Sequence, residues 1–162
     1  MPLTPLHPGP ALLLGGLFPR FFNLWALLLG SVVMDVEPVF GIIIRGVSYH
    51  GPLHTIILGA ILGSLIIAVI LRRFRQKLNQ ISLKFKIEQS FSFPVLFFSS
   101  LVAWLIHIFF DNLTHFDVFP FWPSHFKPFY IGPEIYWPLN LIFLTFGIIG
   151  LILIIKKTKT YA

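Results

Sequence analysis

The densest chemical signal in this chain is His107-Ile-Phe-Phe-Asp111. A spacing of four puts an imidazole and a carboxylate on one face of a helix. That pairing is a metal-ligand arrangement suited to zinc or a similar divalent ion. His115 lies one turn further along the same face if the helix continues. The competing reading is an Asp111 that only orients or pairs with His107. His54 follows Gly51-Pro52. Proline favours the first turn of a helix, so His54 is expected near a helix N-terminus, where an anion such as phosphate is welcome. His50 precedes that start. Asp35 closes the apolar run Gly30-Ser31-Val32-Val33-Met34 and can serve as ligand or general base. Glu37 comes two residues later, so it projects elsewhere if the backbone stays helical. A solvated loop carboxylate is its plainer reading. His7, near the N-terminus, means little alone.

The elements that must carry these residues are apolar. Of the 162 residues 56% are hydrophobic and only 11% are charged. A soluble domain carries about 25% charged residues, so lipid must cover this surface. The chain reads as an all-α, polytopic integral membrane bundle forming a single domain. Three spans are clear, at 54–71, 93–110 and 139–155. Each is close to the lower limit of about 17 residues for a crossing helix. Residues 1–35 read as a short helical hairpin turning at Pro19-Arg20. One continuous span there would bury Arg20 at mid-membrane, at a cost of about 2.5–3.5 kcal/mol. Cysteine is absent, so any metal must be held by His, Asp or Glu.

The net charge of +6 is a topology signal rather than a nucleic-acid signal. Arg72, Arg73, Arg75, Lys77, Lys84 and Lys86 cluster in loop 72–88, and Lys156, Lys157 and Lys159 close the chain. Only Arg45 and Lys127 stand apart from these clusters and Arg20. The positive-inside rule places loop 72–88, Arg20 and the C-terminus in the cytoplasm of a cell or inner membrane. His7, Asp35, Glu37, His50, His54, His107, Asp111 and His115 then share the opposite membrane depth, although four separate segments supply them. Ionisable residues at such depths are functional-site candidates. Segment 116–138 is an extracytoplasmic loop rich in proline and aromatics. It includes His125 and reads as an interfacial anchor, with a lid or a lipid entry route as the functional alternative. The basic loop reads as a solvated topology signal rather than a headgroup site.

The ordered set His7, Gly-Ser-Val-Val-Met-Asp35, His50-Gly-Pro-Leu-His54-Thr and His107-x-x-x-Asp111 resembles the membrane-bound metal-dependent hydrolases of the YdjM-like group. The likeness runs to about Asp117. The same order is distantly similar to that of zinc-dependent phospholipase C, an all-helical phosphodiesterase with clustered zinc. That resemblance implies one metal surrounded by Asp35, His54, His107 and Asp111. It implies Asp111 bridging to a second ion held partly by His7, with His115 as a further ligand. Met34 stands where the hydrolase group has proline, and His-Gly-Pro-Leu-His lacks its arginine. The late His-x-x-x-Glu of the phospholipase has no counterpart in 139–155, so the resemblance implies one or two zinc ions rather than three.

The expectation is therefore a membrane-embedded metal-dependent hydrolase acting on a phosphoester or lipid headgroup at the extracytoplasmic face. Asp35 and Glu37 are its catalytic candidates. The lipid bilayer is the expected partner and nucleic acid is excluded; the sequence names no protein partner. The alternative is a non-catalytic scaffold or a subunit of a larger membrane assembly, in which the polar cluster is a hydrogen-bonded network fixing helix packing. An ion carrier fits worst, because the cytoplasmic halves of the spans are almost wholly apolar.

Overall fold

The computed structural model describes residues 6–44 and 50–160, and Arg45 falls outside them. Among the described residues every regular element is helical. The order is α1 (Pro8–Leu17), α2 (Leu24–Val32), α3 (Val36–Ile43), α4 (Ser64–Arg73), α5 (Arg75–Lys84), α6 (Phe93–Thr114) and α7 (Tyr136–Thr160). Four helical runs are long and apolar enough to cross a membrane: Leu24–Gly41, Ile56–Arg73, Phe93–Thr114 and Pro133–Lys157. Large apolar side chains such as Leu141, Ile148 and Ile152 point outward. The chain is an integral membrane helical bundle.

The sequence expectation changes at three places. The second arm of the N-terminal hairpin does not stop at Asp35. A single 3-10 turn, Val33–Asp35, joins α2 directly to α3. The apolar residues beyond Glu37-Pro38 carry the helix on, so Asp35 sits inside a continuous run rather than at its end. The basic segment 72–88 is largely the helix α5, separated from α4 by a break at Phe74. The run into α4 begins as π-helix over Ile56–Gly63, where Ala60 N–H donates to Thr55 O at 2.9 Å. Such local widening is frequent beside functional sites. Here it directly follows His54.

Capping fixes the entries. Asn23 accepts from Ala26 N–H and starts α2 after the Pro19-Arg20 turn. Thr55 Oγ1 accepts from Leu58 N–H at 3.2 Å and starts the π-helical run. Both are the residue types whose side-chain oxygen satisfies an orphan donor of the first turn. The core is a seam of Ala26, Met34, Ala60, Ile67, Leu96 and Trp104. Trp104 Nε1–H donates to Leu53 O at 2.9 Å, and its indole occupies the space that a side chain on Gly63 would need. This contact ties the backbone beside His54 to α6.

Small residues let the helices that carry the site approach closely, as is common in membrane bundles. Gly30 lies against the Ser100 backbone and brings α2 onto α6. Gly9 packs on the backbone at Phe143, and Gly150 packs on the backbone of Leu12 and Leu13, so α1 lies directly on α7. Gly150→Leu is expected to force these backbones apart at a cost of about 1–3 kcal/mol. Thermal unfolding in detergent checks this, and an unchanged midpoint would mean that the α1–α7 contact is not tight.

Candidate metal centre

Asp111 stands at the centre of the cluster, on the last turn of α6, and is 3% exposed. Its Oδ2 lies 3.0 Å from His107 Nε2, 3.4 Å from His54 Nε2 and 4.0 Å from His50 Nε2. Its Oδ1 lies 3.5 Å from both His7 Nε2 and His115 Nδ1. Asp35 adds a second carboxylate. Its Oδ1 is 3.4 Å from His107 Nε2 and its Oδ2 is 3.3 Å from His7 Nδ1. The 3-10 turn at Val33–Asp35 aims Asp35 into this space from the continuous α2–α3 run. Thus His7, Asp35, His54, His107, Asp111 and His115 converge, as does Glu37 through its contact with His54.

The histidines are held from behind. His107 Nδ1 lies 2.8 Å from Ser31 O. A carbonyl only accepts, so Nδ1 carries a proton there, and Nε2 is the nitrogen turned to the carboxylates. The close α2–α6 approach at Gly30 supplies that carbonyl. His54 Nδ1 donates to Glu37 Oε2 at 2.7 Å. Glu37 also accepts from Gly51 N–H at 2.9 Å and from Leu53 N–H at 2.7 Å, so both its oxygens are engaged. His50 Nδ1 donates to Asp117 Oδ2 at 2.9 Å. A carboxylate or carbonyl behind a histidine fixes the ring and raises the basicity of the opposite nitrogen. Behind His115, Lys127 Nζ donates to the His115 carbonyl at 2.9 Å.

Outside the spans the electrostatics divide the two neighbouring histidines. Burial pulls His50 below the ordinary histidine range, and the Asp117 hydrogen bond offsets only part of this. Burial also works against charge on His54, but Asp111 and Glu37 outweigh it and raise that group. Asp117 is disfavoured as an anion by burial, yet the bond to His50 holds it below the usual carboxylate range.

The donor set fits a divalent cation. His54 Nε2 is buried and has no hydrogen-bond partner among the described residues, although it faces Asp111. Such an orphaned imidazole nitrogen calls for an acceptor of its lone pair. Donors about 2.0–2.1 Å from a zinc ion stand about 3.3 Å apart around a tetrahedron, and the contacts at His54, His107, Asp35 and Asp111 run from 3.0 to 3.4 Å. Among the described residues three groups of donor atoms are close enough to share an ion: His7, Asp35 and His107; His54, His107 and Asp111; His50, Asp111 and His115. Beside them, a cavity of about 20 Å³ is bordered by His7, Asp111, His115, Tyr136 and Asn140. It has room for about one water.

His50, placed by the sequence at the same membrane depth as the other candidates, faces Asp111 from within the cluster. Asp117 was not a candidate, and its partner lies 67 positions away. The available signal was the closeness of Asp117 to His115. His125 is exposed against Phe119, with ring centroids 4.8 Å apart, and has no part in the cluster.

Fold and site together define a polytopic membrane protein with a buried histidine–carboxylate centre able to take a divalent ion. The sequence model of the YdjM inner membrane protein family matches residues 7–162, and the chain belongs to that family. No curated protein and no solved structure matches it.

Proposed function

We propose that this protein is a metal-dependent hydrolase of phosphoesters, working at the extracytoplasmic headgroup level with one or two zinc ions. The observation that carries the reading is the convergence of histidine and carboxylate donors on Asp111, with His54 Nε2 without a hydrogen bond among the described residues. The similarity of the residue order to zinc-dependent phospholipase C supports the phosphoester class. The orientation rests on the basic clusters, which lie at the opposite end of the bundle and mark the cytoplasmic side.

A divalent cation would supply Lewis-acid polarisation of a phosphoryl oxygen and acidification of water. His54, His107, Asp35 and Asp111 would hold it, while His7, His50 and His115 surround the second oxygen of Asp111 or its flank. Asp35 is the acid–base group. Its second oxygen faces His7, so His7 can take or return a proton there. Glu37 has no lone pair directed at the centre comparable to that of Asp35. It is a positioning residue that acts through His54.

Glu37→Gln is therefore expected to weaken zinc binding about 10–100-fold, the usual effect of losing a carboxylate behind a ligand histidine. Competition against a chromophoric chelator measures it, and wild-type affinity would remove the positioning role. The function itself is tested on purified protein with bis-p-nitrophenyl phosphate as the probe. The expected result is bound zinc, turnover abolished by chelation and restored by zinc, and no turnover in His107→Ala. Negligible metal in both proteins would leave the scaffold reading, which the direct 3.0 Å contact of His107 with Asp111 favours.

A further inference from the structure

A cavity of about 760 Å³ lies at the end of the bundle opposite the histidine cluster, formed by the α1–α2 turn, the segment after α5 and the far end of α7. On α7, Asn140 borders the histidine cluster and Ile154 borders this cavity. At about 1.5 Å per helical residue the two are roughly 21 Å apart, which approaches the thickness of a hydrocarbon core.

Three cations from three elements meet there: Arg20, Lys86 and Lys157, against the single carboxylate Glu88. Arg20 and Lys86 are exposed at the cavity's rim and Lys157 is half-buried. Lys157 Nζ donates to Gly16 O at 2.7 Å, which fixes its position. Lys86 has a φ of 55°, the left-handed region that lysine rarely adopts. The turn that holds it closes with Lys86 N–H to Leu83 O and Ile87 N–H to Ser82 O, both 2.9 Å. The following residues are pinned to α2, since Gln89 Oε1 accepts from Leu24 N–H and Ser90 O accepts from Asn23 Nδ2. The floor and walls include Phe18, Phe22 and Ile154. The cavity is therefore lined by both cationic and apolar side chains, on a backbone held by these hydrogen bonds.

We propose that this cavity binds one anionic phospholipid, its phosphate among Arg20, Lys86 and Lys157 and its acyl chains along the apolar walls. The charge balance rejects zwitterionic headgroups as the preferred occupant. The apolar walls have no role for a free phosphate. Basic pockets of this kind between membrane helices hold acidic headgroups in the leaflet on the basic side. This site is independent of the metal chemistry.

Native mass spectrometry of the full chain released from detergent tests the proposal, with phosphatidylglycerol, phosphatidylcholine and inorganic phosphate as probes. The expected result is one retained phosphatidylglycerol, bound at least about tenfold more tightly than phosphatidylcholine and not displaced by millimolar phosphate. Arg20→Ala should lower retention about tenfold. Lys86→Gly should do the same while relaxing the backbone, because glycine accepts a φ of 55°. Lys77→Ala, on α5 outside the cavity, should retain the lipid, and the helical circular dichroism of all variants reports folding. Equal binding of the two lipids, displacement by phosphate, or full retention in folded Arg20→Ala and Lys86→Gly proteins would overturn it.

Discussion

Asp111→Asn is expected to empty the centre of metal while leaving the bundle assembled. The two side chains have the same shape, so α6 keeps its packing. The chemistry changes at both oxygens. Oδ2 faces His107, His54 and His50, and Oδ1 faces His7 and His115. An amide keeps one weaker acceptor and turns the other position into a donor aimed at imidazole lone pairs. It also removes one of the two anions that face the histidine nitrogens. Loss of an outer carboxylate costs about 10–100-fold in affinity, so loss of this central one should exceed 100-fold. Metal content after gel filtration in metal-free buffer measures the effect. Wild-type metal loading of Asp111→Asn would refute the proposed centre. Asp111→Ala is a harsher test, because stripping a partner from a buried charged pair costs about 3–5 kcal/mol.

Zinc should raise the thermal midpoint strongly at neutral pH and hardly at all in acid. A ligand at about 1,000 times its dissociation constant stabilises by about 4 kcal/mol. At about 2–4 °C per kcal/mol for a chain of this size, the midpoint rises by roughly 10 °C. Protons oppose this. Histidine must be neutral to bind metal, and each proton displaced makes affinity fall about tenfold per pH unit below its titration. His54 sharpens the contrast. Asp111 and Glu37 raise it in the metal-free protein. Its contribution to metal-free stability is therefore complete below the unfolded value of about 6.5 and is lost as pH rises through the folded value. The stabilisation by zinc has the opposite slope. Midpoints with and without zinc should diverge above about pH 7 and converge by about pH 5.5. A zinc effect that is flat across this range would show that histidines are not its ligands.

What the sequence disclosed depended on how far apart the interacting residues lie along the chain. His107 and Asp111 were legible because a helix turns residues four apart onto one face. The turn at Pro19-Arg20 was legible because proline and arginine both resist burial in an apolar helix. The membrane class followed from the scarcity of charge. Glu37 was harder. Its neighbours suggested a loop, whereas its partners Gly51, Leu53 and His54 come from another segment. The His50–Asp117 pair spans a still longer gap. The continuation of α2 through Asp35 into α3 was hidden because Asp35 closes an apolar run. The 3-10 turn takes up Asp35, and Glu37 and Pro38 fall in the first turn of α3, where proline is tolerated. Helix α5 was concealed by its charges, which obscure helical pattern in a segment with little buried surface.

The intimate seating of α1 against α7 sets an order of events during biosynthesis. His7 emerges from the ribosome first, yet the surface against which its helix nestles is translated after every other contributor to the centre. A nascent chain inserted only as far as α6 carries most of the donors but lacks the brace that steadies the earliest one. Completion of the histidine–carboxylate cluster is thus coupled to integration of α7.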